Sequence, residues 1–138
     1  MRKGEVHFKV PNDRIKRLKD KICQLTSRKW SIAMGYRLHK LTQLMKGWVQ
    51  YYKMADMKSF ALSVDQWTRR RLRAIRWKEW KKIRTKLDNL VRLGIDKSKA
   101  WEYANSRKKC WRISGSWILT KTLTNQYWLS QGYKDFSN

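Results

Sequence analysis

The sequence predicts an all-α fold, in which a three-helix bundle is followed by a smaller helical region. Apolar residues recur at intervals of three and four through three long segments, the spacing of one face of an α-helix. One proline and six scattered glycines leave no room for a flexible linker. The strand-like stretch Glu5–Val10 is too short to form a sheet by itself. We therefore predict an extended stub over residues 1–10, the bundle over 11–86 and the helical region over 87–138.

The first two helices follow from their apolar spacing. Pro11 precedes Asn12 and Asp13, two residue types that cap helix starts, and an apolar face follows at Ile15, Leu18, Ile22 and Leu25. A second helix is predicted from about Ile32 to Met54, with a longer apolar seam. The seam comprises Met34, Leu38, Leu41, Met45, Trp48 and Tyr52. Gly47 lies inside this helix, and its cost of roughly 1 kcal/mol relative to Ala predicts the close approach of another helix.

The third helix, predicted from about Val64 to Arg84, has two contrasting faces. The core face is predicted to contain Val64, Trp67, Leu72, Ile75 and Ile83. The opposite, outward face is predicted to carry Arg69, Arg73, Trp77, Trp80 and Arg84, with Arg70, Arg76 and Lys81 beside it. Two indoles on a solvent-facing surface are costly, because large apolar rings stay in water. Guanidiniums and indoles together therefore favour nucleic-acid contact. The alternative is that Trp77 and Trp80 pack under the C-terminal region, and only the arginines meet phosphate.

The remainder of the chain is predicted to form shorter helical units. Leu87–Leu93 is a helical turn or two closed by Gly94, a good residue for a left-handed cap. Asp96 caps a helix to about Arg107, with Trp101 and Ala104 facing inward. Residues 107–112 form a basic loop with an embedded tryptophan. A last helix is predicted over Trp117–Gln131, ended by Gly132.

Net charge and aromatic content together indicate a nucleic-acid partner. The chain has 34 Lys and Arg against 10 Asp and Glu, a net charge of +24, which repels itself within a fold. A polyanionic partner explains such an excess. Nine Trp and six Tyr exceed what a basic disordered tail contains and leave planar side chains for stacking on bases. A basic loop between helices, here residues 107–112, is a usual phosphate-positioning element.

The sequence gives little sign of catalytic or metal chemistry. The ten acidic residues are dispersed, with no Asp-Asp or Asp-x-Asp pair of the kind that holds two metal ions. Cys23, Cys110, His7 and His39 lack the spacing of zinc ligands, and there is no glycine-rich phosphate loop. We therefore predict no metal, no cofactor and no enzyme activity for this chain alone.

The hydropathy pattern and the cysteine content argue against a membrane or secreted protein. No apolar run approaches the ~20 residues of a membrane-spanning helix. The first ten residues alternate charged and apolar side chains, unlike a signal peptide. Two cysteines make no disulfide framework. We expect a reduced, cytoplasmic protein without a membrane partner.

Several motifs, in order along the chain, resemble the maturase-specific domain of group II intron-encoded reverse transcriptases. Gly47–Tyr52 (GWVQYY) resembles the G-W-x-x-Y-[FY] motif of that domain, and Asp65–Arg73 followed by Trp77–Lys81 resembles its next signature. Similar segments continue with Leu93–Ile95, Ala100–Lys108, Trp111-Arg112 and Leu123–Asn125. The resemblance covers nearly the whole chain from about Phe8 and is closest to bacterial members. Ile83 and Trp117 stand where the family often has Pro, which allows the third helix to run longer and leaves the path into the last helix open.

The resemblance implies that the chain is a thumb, followed by a small DNA-binding region, of a protein whose fingers and palm polymerase domain is missing here. Its implied partners are group II intron RNA, target DNA or an RNA–DNA duplex, within a bacterial ribonucleoprotein. The expected RNA-binding residues are Arg69, Arg70, Arg73, Arg76, Trp77, Trp80, Lys81 and Arg84. The expected DNA-binding residues are Arg107, Lys108, Lys109 and Arg112. Two alternatives are a DNA-target-binding module, and a structural thumb that does not bind nucleic acid once detached.

Overall fold

The structure, a computed structural model, describes residues 12–54 and 58–134, which form eight α-helices and no strand. The helices are α1 Asn12–Leu25, α2 Met34–Met54, α3 Lys58–Glu79, α4 Ile83–Arg92, α5 Lys97–Ala104, α6 Cys110–Ser114, α7 Trp117–Thr122 and α8 Asn125–Ser130. The all-α prediction is confirmed. The predicted stub over residues 1–10 lies outside the described residues.

Two compact units divide the chain, with their boundary inside α3. The first unit takes the chain up to Trp67 together with the segment from Gly132 onward, and the second spans Thr68–Gln131. The boundary predicted from the sequence, between residues 86 and 87, differs from this one and stays a prediction.

The first unit contains the pair of helices α1 and α2, and the central residues of their predicted apolar faces are confirmed as buried. Leu18 and Ile22 of α1 are buried. Along α2 the seam residues from Met34 to Met45 are buried and Trp48 is half-buried, while the side chain of Tyr52 lies outside the described part of the structure. Each fully buried aliphatic side chain contributes roughly 1.5–3 kcal/mol by leaving water, so this seam is the main source of stability for the pair.

Arg37 is a charged residue in the interior of the first unit, which the sequence did not indicate. Its guanidinium donates hydrogen bonds to the carbonyl oxygens of Leu25 at 2.7 Å, Ser27 at 3.2 Å and Trp30 at 2.5 Å. Its Cζ also lies 5.2 Å from the centre of the Trp30 ring. Because these carbonyls end α1 and begin the connection to α2, Arg37 holds that connection in place.

The segment after Gly132 returns to α2. The hydroxyl of Thr42 donates to the carbonyl of Gly132 at 3.2 Å and accepts from the amide of Lys134 at 3.1 Å. Tyr133, between them, is buried. A hydrogen bond across 90 residues of sequence leaves no local pattern, so the sequence did not predict this return.

One expectation about α2 is wrong. A Cβ placed on Gly47 would meet no atom of the described residues within 4 Å, and Gly47 is exposed. No described helix approaches it closely, so packing among those residues does not offset the cost of this glycine.

The predicted third helix ends earlier than expected. It was predicted to run to about Arg84, whereas α3 ends at Glu79 and the separate helix α4 begins at Ile83. Lys82 has an extended backbone, with φ −89° and ψ 147°, which stops one helix and starts the next. The absence of a family proline at position 83 therefore did not extend the helix. This break resets the helical register, so Ile83 is 46% exposed rather than in the core.

Predicted capping signals fix the connection between α4 and α5. Gly94 has φ +102°, and its amide donates to the Val91 carbonyl while the amide of Ile95 donates to the Leu90 carbonyl, both at 3.0 Å. These two bonds are the Schellman motif, which satisfies the last carbonyls of a helix. Asp96 then accepts from the Lys99 amide at 3.4 Å and caps α5. Both capping predictions are confirmed, although α5 ends at Ala104, three residues short of Arg107.

The predicted last helix is two helices. Leu123 leaves helical geometry with ψ 67°, and the Thr124 side chain caps α8 by accepting from the Tyr127 amide at 3.1 Å. Threonine and asparagine at 120, 122, 124 and 125 are weak helix formers and good caps, which favours this break. Gly132, with φ +102°, follows α8, as predicted.

Candidate nucleic-acid interface

The second half of α3 does not present the predicted outward face of indoles. Trp77 is 1% exposed and Trp80 is 7% exposed, and their rings pack edge to face with centroids 6.1 Å apart. Lys86 of α4 places its Nζ 4.7 Å from the centre of the Trp77 ring. Because the chain breaks after Glu79, α4 can fold over this end of α3, which a continuous helix could not do. The predicted exposure of both tryptophans is wrong.

The arginines of this stretch are also partly withdrawn from solvent. Arg69 is buried, while Arg70, Arg73 and Arg76 are half-buried. Arg76 donates to a carboxylate oxygen of Glu79 at 3.2 Å. Of the eight residues expected to bind RNA, only Lys81 and Arg84 are exposed.

Arg70 and Arg73 bind the short helix α6. Arg70 donates to the Ser114 hydroxyl at 3.3 Å and to the Trp111 carbonyl at 3.0 Å, and its guanidinium carbon lies 4.0 Å from the centre of the Trp111 ring. Arg73 donates to the Ser114 carbonyl at 2.9 Å. The two predicted sites, on α3 and in residues 107–112, are therefore next to each other in the second unit.

Gly115 completes this contact. A Cβ at this position would lie 3.0 Å from the guanidinium carbon and 3.0 Å from one terminal nitrogen of Arg70. Ordinary carbon contacts are longer, so any larger residue would force that guanidinium to move. The need for glycine here comes from close approach, since its backbone is in the right-handed helical region.

The positive charges of this cluster affect each other. Burial lowers the pKa of Arg73 to about 10, and the like charges of Arg69 and Arg70 add to the effect. The hydrogen bonds of Arg70 and Arg73 go to a hydroxyl and to carbonyls of the described residues, not to carboxylates. An approaching anion would reduce this repulsion, which makes the region attractive to phosphate.

The expected DNA-binding residues are all accessible. Arg107, Lys108, Lys109 and Arg112 are exposed, in the connection between α5 and α6 and in α6 itself. The connection is ordered locally, because the Lys108 amide donates to the Ser106 hydroxyl at 3.2 Å. Within the described chain these four cations form a compact charged segment around Trp111.

Sequence reasoning missed the tryptophans that solvent can reach. Trp101 is 57% exposed, Trp117 is 51% exposed and Trp111 is 37% exposed. Trp101 was predicted to face inward, and that prediction is wrong. The Trp117 ring packs edge to face against Tyr103, with centroids 5.9 Å apart. For Trp111, the signal in the sequence was an isolated indole within a run of basic residues.

The second unit carries most of the charge as well as these three tryptophans. Its 64 residues contain eighteen Lys or Arg and four Asp or Glu, a net +14 of the +24 for the whole chain. Among the described residues, no group of three or more His, Cys, Asp or Glu could hold a metal ion. No helix in residues 12–54 and 58–134 combines the length and the apolar character needed to cross a membrane.

A family model, described as the group II intron maturase-specific domain, matches residues 15–94, more than half of the chain. The chain belongs to this maturase-specific family. The matched segment takes in α2, α3 and α4 and ends at Gly94, the left-handed residue that terminates α4. The exposed tryptophans and the cations of residues 107–112 lie beyond it. No curated protein sequence matches the chain. Membership of the maturase family assigns the chain to group II intron splicing.

Proposed function

We propose that the chain promotes splicing by binding group II intron RNA directly. The observation that carries the proposal is the maturase-domain match over residues 15–94. The charge of +24 supports it, because phosphate neutralisation supplies the main, sequence-independent part of nucleic-acid affinity.

The contact surface is proposed to differ from the one indicated by helical spacing alone. Lys81 and Arg84 are exposed cations of the matched domain, and Arg107–Arg112 adds cations around an accessible indole. Cations position a phosphate backbone, whereas accessible indoles stack on unpaired bases. Trp77 and Trp80 support this surface from the interior and do not touch RNA. Arg69, Arg70, Arg73 and Arg76 raise the local positive potential, and Arg70 and Arg73 also hold α6.

In a protein that includes the polymerase domains, this region would grip the template–primer duplex, and the residues after Leu87 would contact target DNA. Both roles are inferred from the family resemblance. The chain would then act inside a ribonucleoprotein with the intron.

DNA-target binding is the second candidate, favoured by the exposure of Arg107, Lys108, Lys109 and Arg112 beyond the matched domain. A gel-shift competition at moderate salt separates the two functions. Labelled intron RNA is bound to the full chain and challenged with unlabelled intron RNA or duplex DNA of equal nucleotide content.

Intron RNA should compete at least tenfold better than duplex DNA, a difference of about 1.4 kcal/mol. Stronger competition by DNA would establish the second candidate. No binding of either nucleic acid would leave a structural thumb as the function. An RNA of the same length and base composition, with a scrambled sequence, controls for charge alone.

A further inference from the structure

The first unit contains an open cleft of about 290 Å³ between α1 and α2. Its wall on α1 is formed by three exposed cations, Arg14, Arg17 and Lys21. These positions are separated by three and four residues, so they share one face of the helix. Leu18 lies beneath them and is fully buried. The cleft therefore combines an apolar floor with a rim of three positive charges, and none of the described residues that line it is acidic.

The wall on α2 is formed by Leu44 and Trp48, one turn apart. Trp48 follows Met45 along the seam; the members from Met34 to Met45 are buried, yet Trp48 itself is half-buried. A half-buried indole beside three cations is costly as mere packing, because part of a large apolar ring stays in water. An aromatic face with cations at its edge matches a nucleotide, whose base stacks while its phosphates pair with the cations.

We propose that this cleft binds one unpaired nucleotide of an RNA strand, with the base against Trp48 and the adjoining phosphates on Arg14, Arg17 and Lys21. The inference rests on the proposed RNA-binding function and assigns it a second contact site, separate from residues 107–112. Five of the six lining residues lie inside the segment matched by the maturase family model.

Size and chemistry select this ligand over others. Pockets for drug-sized ligands are about 300–1,000 Å³, so an open cleft of about 290 Å³ has room for a base. The bases of a duplex are stacked inside it and cannot reach an indole in a cleft. An acidic peptide would use the cations but would not stack on the indole.

The test uses the full chain with a uridine dodecamer as the single-stranded probe, and an RNA hairpin of equal length as the paired probe. Trp48→Leu keeps apolar volume but removes the ring, and should weaken dodecamer binding about tenfold or more. Trp48→Phe keeps a ring and should change log Kd for the dodecamer by less than half as much as Trp48→Leu does. Hairpin binding should change by less than twofold in both variants.

Charge is tested by the double variant Arg17→Ala/Lys21→Ala. It should make the dependence of log K on log salt shallower by about 1.4, since each single-strand phosphate contact contributes about 0.7. The control is Lys16→Ala/Lys29→Ala, which removes two exposed cations that do not line the cleft. The control should change the slope by less than half as much.

A third measurement does not depend on how well a variant folds. A dodecamer carrying 4-thiouridine is crosslinked to the unmodified chain, and fragmentation of tryptic peptides locates the adduct. We expect an adduct on Trp48, within the peptide Gly47–Lys53. Crosslinks confined to the second unit would overturn the inference, as would a folded Trp48→Leu variant that binds like the parent. Either result, with the parent still binding intron RNA, would leave the proposed function standing; a parent that binds no RNA would end both.

Discussion

Two stretches of the second unit are rich in tryptophan and in cationic side chains, and they differ in what covers them. In residues 69–80, at the end of α3 and just beyond it, Trp77 and Trp80 are buried. Arg70 and Arg73 donate their hydrogen bonds to α6. Residues 101–117 leave three tryptophans accessible and the cations of 107–112 exposed. Similar residue types are therefore buried by packing in one stretch and remain accessible to solvent in the other.

These two stretches show what helical spacing can and cannot predict about the burial of a side chain. Spacing establishes which residues of α3 share a face, and Trp77 and Trp80 do contact each other. It does not establish whether a later segment covers that face. Lys86 and α6 come from elsewhere in the chain, and their positions decide the question.

The largest difference between the two stretches is expected in stability, at Trp77. Replacing Trp77 by Ala removes a buried indole and should cost about 3–5 kcal/mol of unfolding free energy. Chemical denaturation followed by circular dichroism measures it. Trp117→Ala, at a half-exposed indole, is the control and should cost less than about 1 kcal/mol. A loss below about 1 kcal/mol in both variants would mean that both stretches are surface.

A smaller effect is expected at Gly115. In Gly115→Ala the new Cβ would lie 3.0 Å from the Arg70 guanidinium carbon. The guanidinium must then shift by a few tenths of an ångström, which weakens its bonds to Ser114 and Trp111. Overpacking of this kind typically costs about 1–3 kcal/mol. The control is the same substitution in an Arg70→Ala background, where the obstacle is absent and the further loss should vanish. A full loss in that background would show that Arg70 is not the reason for glycine.

Substitutions in the exposed stretch should affect RNA binding more than stability. Trp111→Ala and Trp117→Ala are each expected to weaken single-stranded RNA binding by roughly 1–3 kcal/mol, with an unchanged salt slope, if the rings stack on bases. Fluorescence anisotropy at several salt concentrations measures both quantities. For Trp111, loss of the contact with Arg70 adds about 0.5–1 kcal/mol of destabilisation. Parent-like affinity in both variants would restrict the surface to its cations.

The smallest change is expected for a single exposed cation. Lys108→Ala should weaken binding to all RNAs alike and reduce the salt slope by about 0.7 for a single strand or 0.9 for a duplex. Lys97→Ala, an exposed lysine at the start of α5, is the matched control and should leave the slope unchanged. A sequence-dependent effect of Lys108 would indicate base contact instead of phosphate contact.

Local signals in the sequence predicted the parts of the fold that depend on neighbouring residues. The buried faces of α1 and α2, the Gly94 and Asp96 caps and the end at Gly132 were all predicted correctly. The break after Glu79 was missed because no proline or glycine marks it.

The candidate site was less predictable than the fold, because its geometry depends on contacts between distant segments. The hydrogen bonds from α3 to α6 join residues 41 and 44 positions apart, and that from Thr42 to Gly132 joins residues 90 apart. The interior position of Arg37 had no signal either, since an arginine in a basic chain is expected at the surface.

The Schellman motif at Gly94 has a consequence for the order in which the second unit folds. It joins α4 and α5 through a turn of four residues, so little loop-closure entropy is lost when these helices meet. The bonds from Arg70 and Arg73 to α6 close loops roughly ten times longer and form at greater entropic cost. Amide protection in pulsed hydrogen exchange should therefore develop first in α4 and α5. The helices would then offer a preformed hairpin to which the end of α3 and the helix α6 attach.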